Sequence, residues 1–233
     1  MKERGMAPNI YWVGGGKGGV GKSMVSMALL DYLLGKGAPT LFVESDTSNP
    51  DVYKAYREAL PCELADLDRV DGWIQLVNTC DGNRDKVVVV NTPARSNAGV
   101  AKFGSTLASS LPELGRALVG LWAINRHRDS VELLKDFMDA MPECRVHVLR
   151  NLYFGDESKF ELYATSKAVR PRVESAGGKA VSFPDLADRV ADDLYKERMT
   201  IAAAAETLPL GNRAELRRWK NAVARMWADI IDG

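Results

Sequence analysis

Cysteine and histidine are scarce in this chain of 233 residues, three and two respectively, and their placement excludes several chemistries. Cys62, Cys80 and Cys144 stand far apart without Cys-x-x-Cys spacing, which argues against a zinc knuckle or a cluster held by one loop and fits reduced thiols. His127 and His147 form neither a catalytic triad nor a metal-ligand spacing. No apolar run approaches the roughly 20 residues of a membrane span, and the opening MKERGMAPN carries no apolar stretch of the secretory kind. The expectation is a soluble, cytoplasmic protein. An excess of charge is missing as well. Lys plus Arg and Asp plus Glu each total 31, so no global attraction to nucleic acid or anionic lipid follows, and any such binding needs a local patch.

What is present is a globular composition, 46% hydrophobic and 27% charged. No repeat, low-complexity tract or linker divides it, and the expectation is one domain over residues 1–233. Apolar, β-prone runs at Ile10 to Val13, Thr40 to Val43, Val87 to Val90, Leu118 to Ile124, Val146 to Leu149 and Lys179 to Phe183 read as strands. Helical patterns fall at Lys22 to Leu34, Asp51 to Leu60, Gly72 to Thr79, Ser130 to Met141, Lys159 to Ala176, Asp185 to Glu197 and Arg213 to Ile231, and the short alanine run from Ala202 to Ala205 also reads as helix. Strands alternating with helices predict an α/β, three-layer fold with a mostly parallel central sheet covered on both faces.

The sharpest motif is GKGGVGKS at Gly16 to Ser23, set between the first strand and the first helix. Gly16, Gly18, Gly19 and Gly21 let the backbone take positive φ and approach an anion, so that successive N–H groups and the helix N-terminus face phosphates. Val20 and Met24 complete the segment that would wrap the nucleotide. Lys22 adds a full charge for the β- and γ-phosphates, and the Ser23 hydroxyl is placed to ligate a Mg²⁺ ion that bridges them.

Lys17 is the less ordinary residue, because a phosphate loop does not require a charge there. GKGGVGKS resembles the deviant Walker A motif of the ParA and MinD family of P-loop ATPases, in which the early lysine is the signature. The resemblance implies that ATP is the nucleotide and that Lys17 crosses a homodimer interface to touch the partner subunit's nucleotide. Two lysines in one loop repel unless phosphate charge lies between them.

Three further positions are reached by the same resemblance. Glu44 and Asp46 alternate at the end of the second strand and so share a side; they are similar to the family's Asp-x-Asp pair, which implies that Asp46 orients the attacking water or a metal-bound water. The alternative is that both residues cap the following helix. Asn91 stands where the family carries a Walker B aspartate, in Asn91-Thr92-Pro93-Ala94. Its amide oxygen can accept from metal-bound water but brings no charge. At about 5 Å and an effective dielectric near 20, the missing charge opposite Mg²⁺ is worth a few kcal/mol before screening. Slow hydrolysis is expected, rising in Asn91→Asp. Asp85 begins that strand, roughly 17 to 20 Å away, which leaves Asp46 as the compensating carboxylate. Asn151 matches the family's adenine-contacting asparagine; as a residue type it is equally suited to a strand-end turn. No Asn-Lys-x-Asp follows it, which favours ATP over GTP.

The last helical pattern carries Arg213, Arg217, Arg218, Lys220 and Arg225 opposite Leu216, Trp219, Val223, Met226, Trp227 and Ile230. Three readings stand: a helix packed on the sheet with a solvated charged face, arginines bound non-specifically to DNA phosphates, or Trp219, Met226 and Trp227 buried in a lipid interface. The whole implies an ATP- and Mg²⁺-dependent dimerising switch of weak ATPase activity, with a protein partner that stimulates hydrolysis and a macromolecular cargo. The stretch from Thr47 to Tyr56 and Asn91 look somewhat like conjugative-transfer accessory ATPases of the TraL type. The competing reading is a metabolic ligase resembling dethiobiotin synthase, against which Lys17 argues.

Overall fold

The computed structural model describes residues 8–232. Seven strands, β1 (Ile10–Gly14), β2 (Thr40–Glu44), β3 (Cys62–Leu64), β4 (Val87–Asn91), β5 (Leu118–Ile124), β6 (Arg145–Asn151) and β7 (Ala180–Phe183), form one sheet in the order β3-β2-β4-β1-β5-β6-β7. Every neighbouring pair is parallel. The helices are α1 (Lys22–Gly35), α2 (Asp51–Tyr56), α3 (Val70–Gly82), α4 (Asn97–Phe103), α5 (Ser105–Leu114), α6 (Arg128–Ala140), α7 (Glu161–Ala164), α8 (Arg170–Ser175), α9 (Asp188–Lys196), α10 (Ile201–Thr207) and α11 (Leu210–Ile230).

The central strands are apolar at almost every position because both faces are covered. Tyr11, Val13, Phe42, Val87, Val89 and Leu121 pack into one core with α1 and α11, while the alternate residues Ile10, Trp12, Leu41, Val43, Val88 and Trp122 pack into a second with α3, α5 and α6. In that second layer Trp12 stacks on Trp73 with ring centroids 5.6 Å apart, and Trp122 lies 4.8 Å from Phe137. All strands run the same way, so their carboxyl ends gather on one edge. β1 lies between β4 and β5, where the chain order of the sheet reverses, and ligands of open α/β sheets sit in that crevice.

Several expected elements differ in extent. The single helix expected from Lys159 to Ala176 is broken into a 3-10 turn, α7 and α8. Pro171 occupies the start of α8, where its missing N–H is harmless but from which a longer helix cannot run back unbroken. The Ser166 hydroxyl accepts from Val169 N at 3.1 Å, closing a competing turn. The helix expected from Asp51 to Leu60 stops at Tyr56. β3, α4 and α5 were not anticipated. The alanine run does fall in a helix, α10.

The C-terminal helix resolves one of its three readings. Leu216, Trp219, Val223, Met226, Trp227 and Ile230 are all buried, and Trp219 Nε1 donates to Pro184 O at 2.9 Å. The aromatic face is core, which agrees with the reading of a helix packed on the sheet and leaves Trp219, Met226 and Trp227 unavailable to a lipid interface. The basic face is partly neutralised within the chain, Lys220 by Asp31 and Arg218 by Glu215, while Arg217 and Arg225 are exposed. Among the described residues, no helix is long and apolar enough to cross a membrane.

Candidate functional site

The phosphate loop leaves β1 at Gly14 and enters α1 at Lys22. Gly16, Gly19 and Gly21 have φ of 64°, 71° and 102°, the left-handed region in which a side chain is strained. At Gly21 the requirement is double, because a Cβ would lie 2.4 Å from Asn151 Nδ2. Among the described residues, none of the amide N–H groups from Gly18 to Met24 donates to an acceptor. Consecutive unpaired donors at a helix N-terminus form a cradle for an anion. Its chemistry fits the phosphates of a nucleotide.

Two lysines serve this loop differently. Lys22 is buried, and its Nζ donates to Lys17 O at 2.7 Å. Burial pulls its pKa down to about 8 against the opposing charges of Asp46 and Glu44, so a phosphate arriving beside it would restore a fully cationic ammonium. Lys17 is half exposed, and its ammonium is ion-paired with Asp129 in the first turn of α6 of the same chain. The hydrogen bond from Lys17 holds the Asp129 carboxyl below its ordinary value.

Under the loop lies a buried polar chain. Ser26 Oγ donates to Asn91 Oδ1 at 2.9 Å, and Asn91 Nδ2 donates to Glu44 Oε1 at 2.8 Å. The same Glu44 oxygen accepts from Asp46 N at 3.0 Å. Burial pushes the Glu44 pKa up to about 7, partly offset by the hydrogen bonds from Asn91 and Asp46 N. The carboxylate tied to Asn91 is thus Glu44. Asp46 is half-buried, and its Oδ1 accepts from Ser48 Oγ at 2.7 Å and Asn49 N at 3.1 Å. One oxygen of Asp46 therefore holds the turn before α2. Ser23 sits at the start of α1, half-buried, where a hydroxyl beside the cradle suits a hard cation such as Mg²⁺.

Asn151, at the end of β6, is spent on the loop. Its Nδ2 donates to Val20 O at 2.9 Å and its Oδ1 accepts from Tyr153 N at 3.1 Å. Val20 O accepts from the Asn151 amide and not from Met24 N, so this side chain ties β6 to the phosphate loop. Beside it is a cavity of about 240 Å³ lined by Gly19, Gly21, Met24, Asn151, Tyr153 and Asp185, adjacent to the cradle and of a size for a nucleobase.

Sequence reasoning missed Ser26, Arg95 and Asp129. Arg95 N donates to Gly16 O at 3.1 Å, from a residue with φ of 65°, a conformation that costs a non-glycine residue about 1–2 kcal/mol. A lone arginine in a loop gives no signal of this. Asp129 had one, an acidic residue opening a helix, but its meeting with Lys17 is a matter of strand order alone.

Fold and cradle together define an α/β protein with a phosphate-binding P-loop, a fold it shares with solved structures. The MinD cell division protein of Aquifex aeolicus superposes with a TM-score of 0.55 at 16% identity, over 95% of this chain and 97% of that one. A chain of the MinC:MinD cell division protein complex of the same organism gives 0.51 at 16% identity, over 91% of this chain and 96% of that one. No family model matches the chain. Protein MobD of Acidithiobacillus ferrooxidans is 58% identical over 226 residues, 97% of this chain and 99% of that protein. The chain belongs to the MobD family.

Proposed function

We propose that this chain is a Mg²⁺- and ATP-dependent switch that dimerises around nucleotide, hydrolyses it slowly and acts on a macromolecular cargo during transfer or segregation of genetic material. The observation that carries the reading is the run of unpartnered amides from Gly18 to Met24 closed by Lys22, on a loop that also presents Lys17. The name of the MobD relative is in keeping with mobilisation, and the MinC:MinD complex is in keeping with a protein partner. Arg217 and Arg225 are the exposed cations that non-specific DNA binding would use.

In this mechanism the amides and Lys22 grip the phosphates, and Ser23 would hold a Mg²⁺ ion that would neutralise charge on the transferring phosphoryl group. Lys17 reaches the partner subunit's nucleotide. The free oxygen of Asp46 orients the attacking water for in-line displacement. Burial, which lowers the Lys22 pKa to about 8, makes its charge responsive to an added anionic phosphate.

Phosphate release from ATP tests the reading. Turnover that is slow in the parent and lost in Lys22→Ala agrees with it. Turnover unchanged in Lys22→Ala, or a parent protein that binds no nucleotide, removes it.

A further inference from the structure

We infer that Glu44, held in place by Asn91, is the positioning residue that carries the anionic charge behind the metal, so that the carboxylate missing at position 91 has moved one strand across the sheet. The inference rests on the nucleotide reading above and deepens it. β2 and β4 are adjacent and in register, with Glu44 directly paired to Asn91, so the two side chains leave the same edge of the sheet side by side. Both are buried, Glu44 at 0% and Asn91 at 2% exposure.

Glu44 Oε1 accepts from Asn91 Nδ2 and Asp46 N, and the Tyr53 backbone amide at the start of α2 also favours the ionised carboxylate. Its Oε2 is buried with no partner among the described residues. A buried carboxylate oxygen without a donor is costly, and the cost is relieved by a cation or by a water that a cation orders. Ser26, which donates to Asn91, lies one turn beyond Ser23 in α1, so the Glu44–Asn91 pair lies beneath the phosphate loop.

Asn91 is placed to steer this oxygen. Its Oδ1 already accepts from Ser26 Oγ, one turn into α1, so the amide is committed as a bridge between helix and carboxylate. A bridge of this kind fixes the Glu44 rotamer and turns Oε2 into the free end. The consequence for mutagenesis is specific. A carboxylate introduced at 91 would stand where the amide now lies, 2.8 Å from Glu44 Oε1, and two carboxylates at that distance share a proton. Asn91→Asp alone therefore adds no usable charge. The gain appears only when Glu44 is neutralised at the same time.

The experiment is ATP affinity, by equilibrium titration with a non-hydrolysable analogue, with excess Mg²⁺ and with chelator, for the parent, Glu44→Gln, Asn91→Asp and the double variant. Expected is an Mg²⁺ enhancement that falls tenfold or more in Glu44→Gln, does not rise in Asn91→Asp, and returns to within about threefold of the parent in the double variant. The double variant keeps one charge and one amide in the pair, so it tests the idea even if Glu44→Gln fails to fold. Equal enhancement in parent and Glu44→Gln, a rise in Asn91→Asp alone, or a double variant as weak as Glu44→Gln overturns the inference while leaving nucleotide binding standing. A parent that binds no analogue under either condition overturns the nucleotide reading and this inference with it.

Discussion

Lys17, the residue that sets this phosphate loop apart, is ion-paired with Asp129 of its own chain. Both side chains are close to half exposed, 44% and 43%, and a pair so hydrated is worth about 0–1 kcal/mol. It is strong enough to bias the lysine and weak enough to break when anionic phosphate is offered from a second subunit.

Removing that competitor has a bounded effect. Asp129→Asn is expected to lower the protein concentration at which ATP-bound dimers form, by no more than about thirtyfold, since the pair breaks once in each subunit and about 2 kcal/mol corresponds to roughly that factor. Analytical ultracentrifugation with ATP measures it. A dimer lost in Asp129→Asn would show that the carboxylate is needed in the assembled state.

Asn151 is a brace in this structure, with both ends of its amide hydrogen-bonded to the chain. Asn151→Ala should weaken ATP and GTP alike, each by about tenfold, the value of one or two net hydrogen bonds. Loss confined to ATP would mean that the side chain turns to the adenine edge when nucleotide binds.

Trp227 is fully buried beneath the sheet. Trp227→Ala is expected to cost about 3–5 kcal/mol of stability, read from chemical denaturation. The parent should stay with the soluble fraction in liposome flotation with or without ATP, because the aromatic face is already occupied by the core. Flotation of the folded parent would contradict this packing.

His147 gives a pH dependence with a definite sign. Burial, reinforced by Arg145 and Lys179 and opposed by Asp229, lowers its pKa to about 4. The unfolded chain, with the ordinary value of about 6.5, binds the proton first, so the contribution falls away as pH drops from about 6.5 to about 4, by on the order of 3 kcal/mol. Glu44, with its raised pKa, acts in the opposite sense, equally in both proteins compared. Denaturation curves of the parent and His147→Asn should therefore diverge over this interval, the parent losing more stability. Parallel curves would count against a buried neutral imidazole.

The sheet was legible because strands covered on both faces must be apolar throughout, as in Val87 to Val90. The phosphate loop was legible because glycine spacing and two lysines leave few other uses for that segment. Helices α4 and α5 were not, since Gly99, Gly104 and Pro112 interrupt any helical pattern in the residues from 97 to 114. The apparent helix from Lys159 to Ala176 failed for the opposite reason, an apolar pattern carried across Pro171 and the Ser166 turn. At the site, the identities of Glu44 and Asn91 were plain but their bond was not: it depends on β2 and β4 being neighbours in register, which no local pattern encodes. The same is true of Lys17 with Asp129 and of Asn151 with Val20.

The most direct test of the switch is molar mass by light scattering with ATP, with ADP, and with ATP on Lys17→Ala. The account predicts a dimer with ATP in the parent, and monomers with ADP and in the variant. A parent that stays monomeric at saturating ATP, or a Lys17→Ala protein that dimerises as readily, would contradict it.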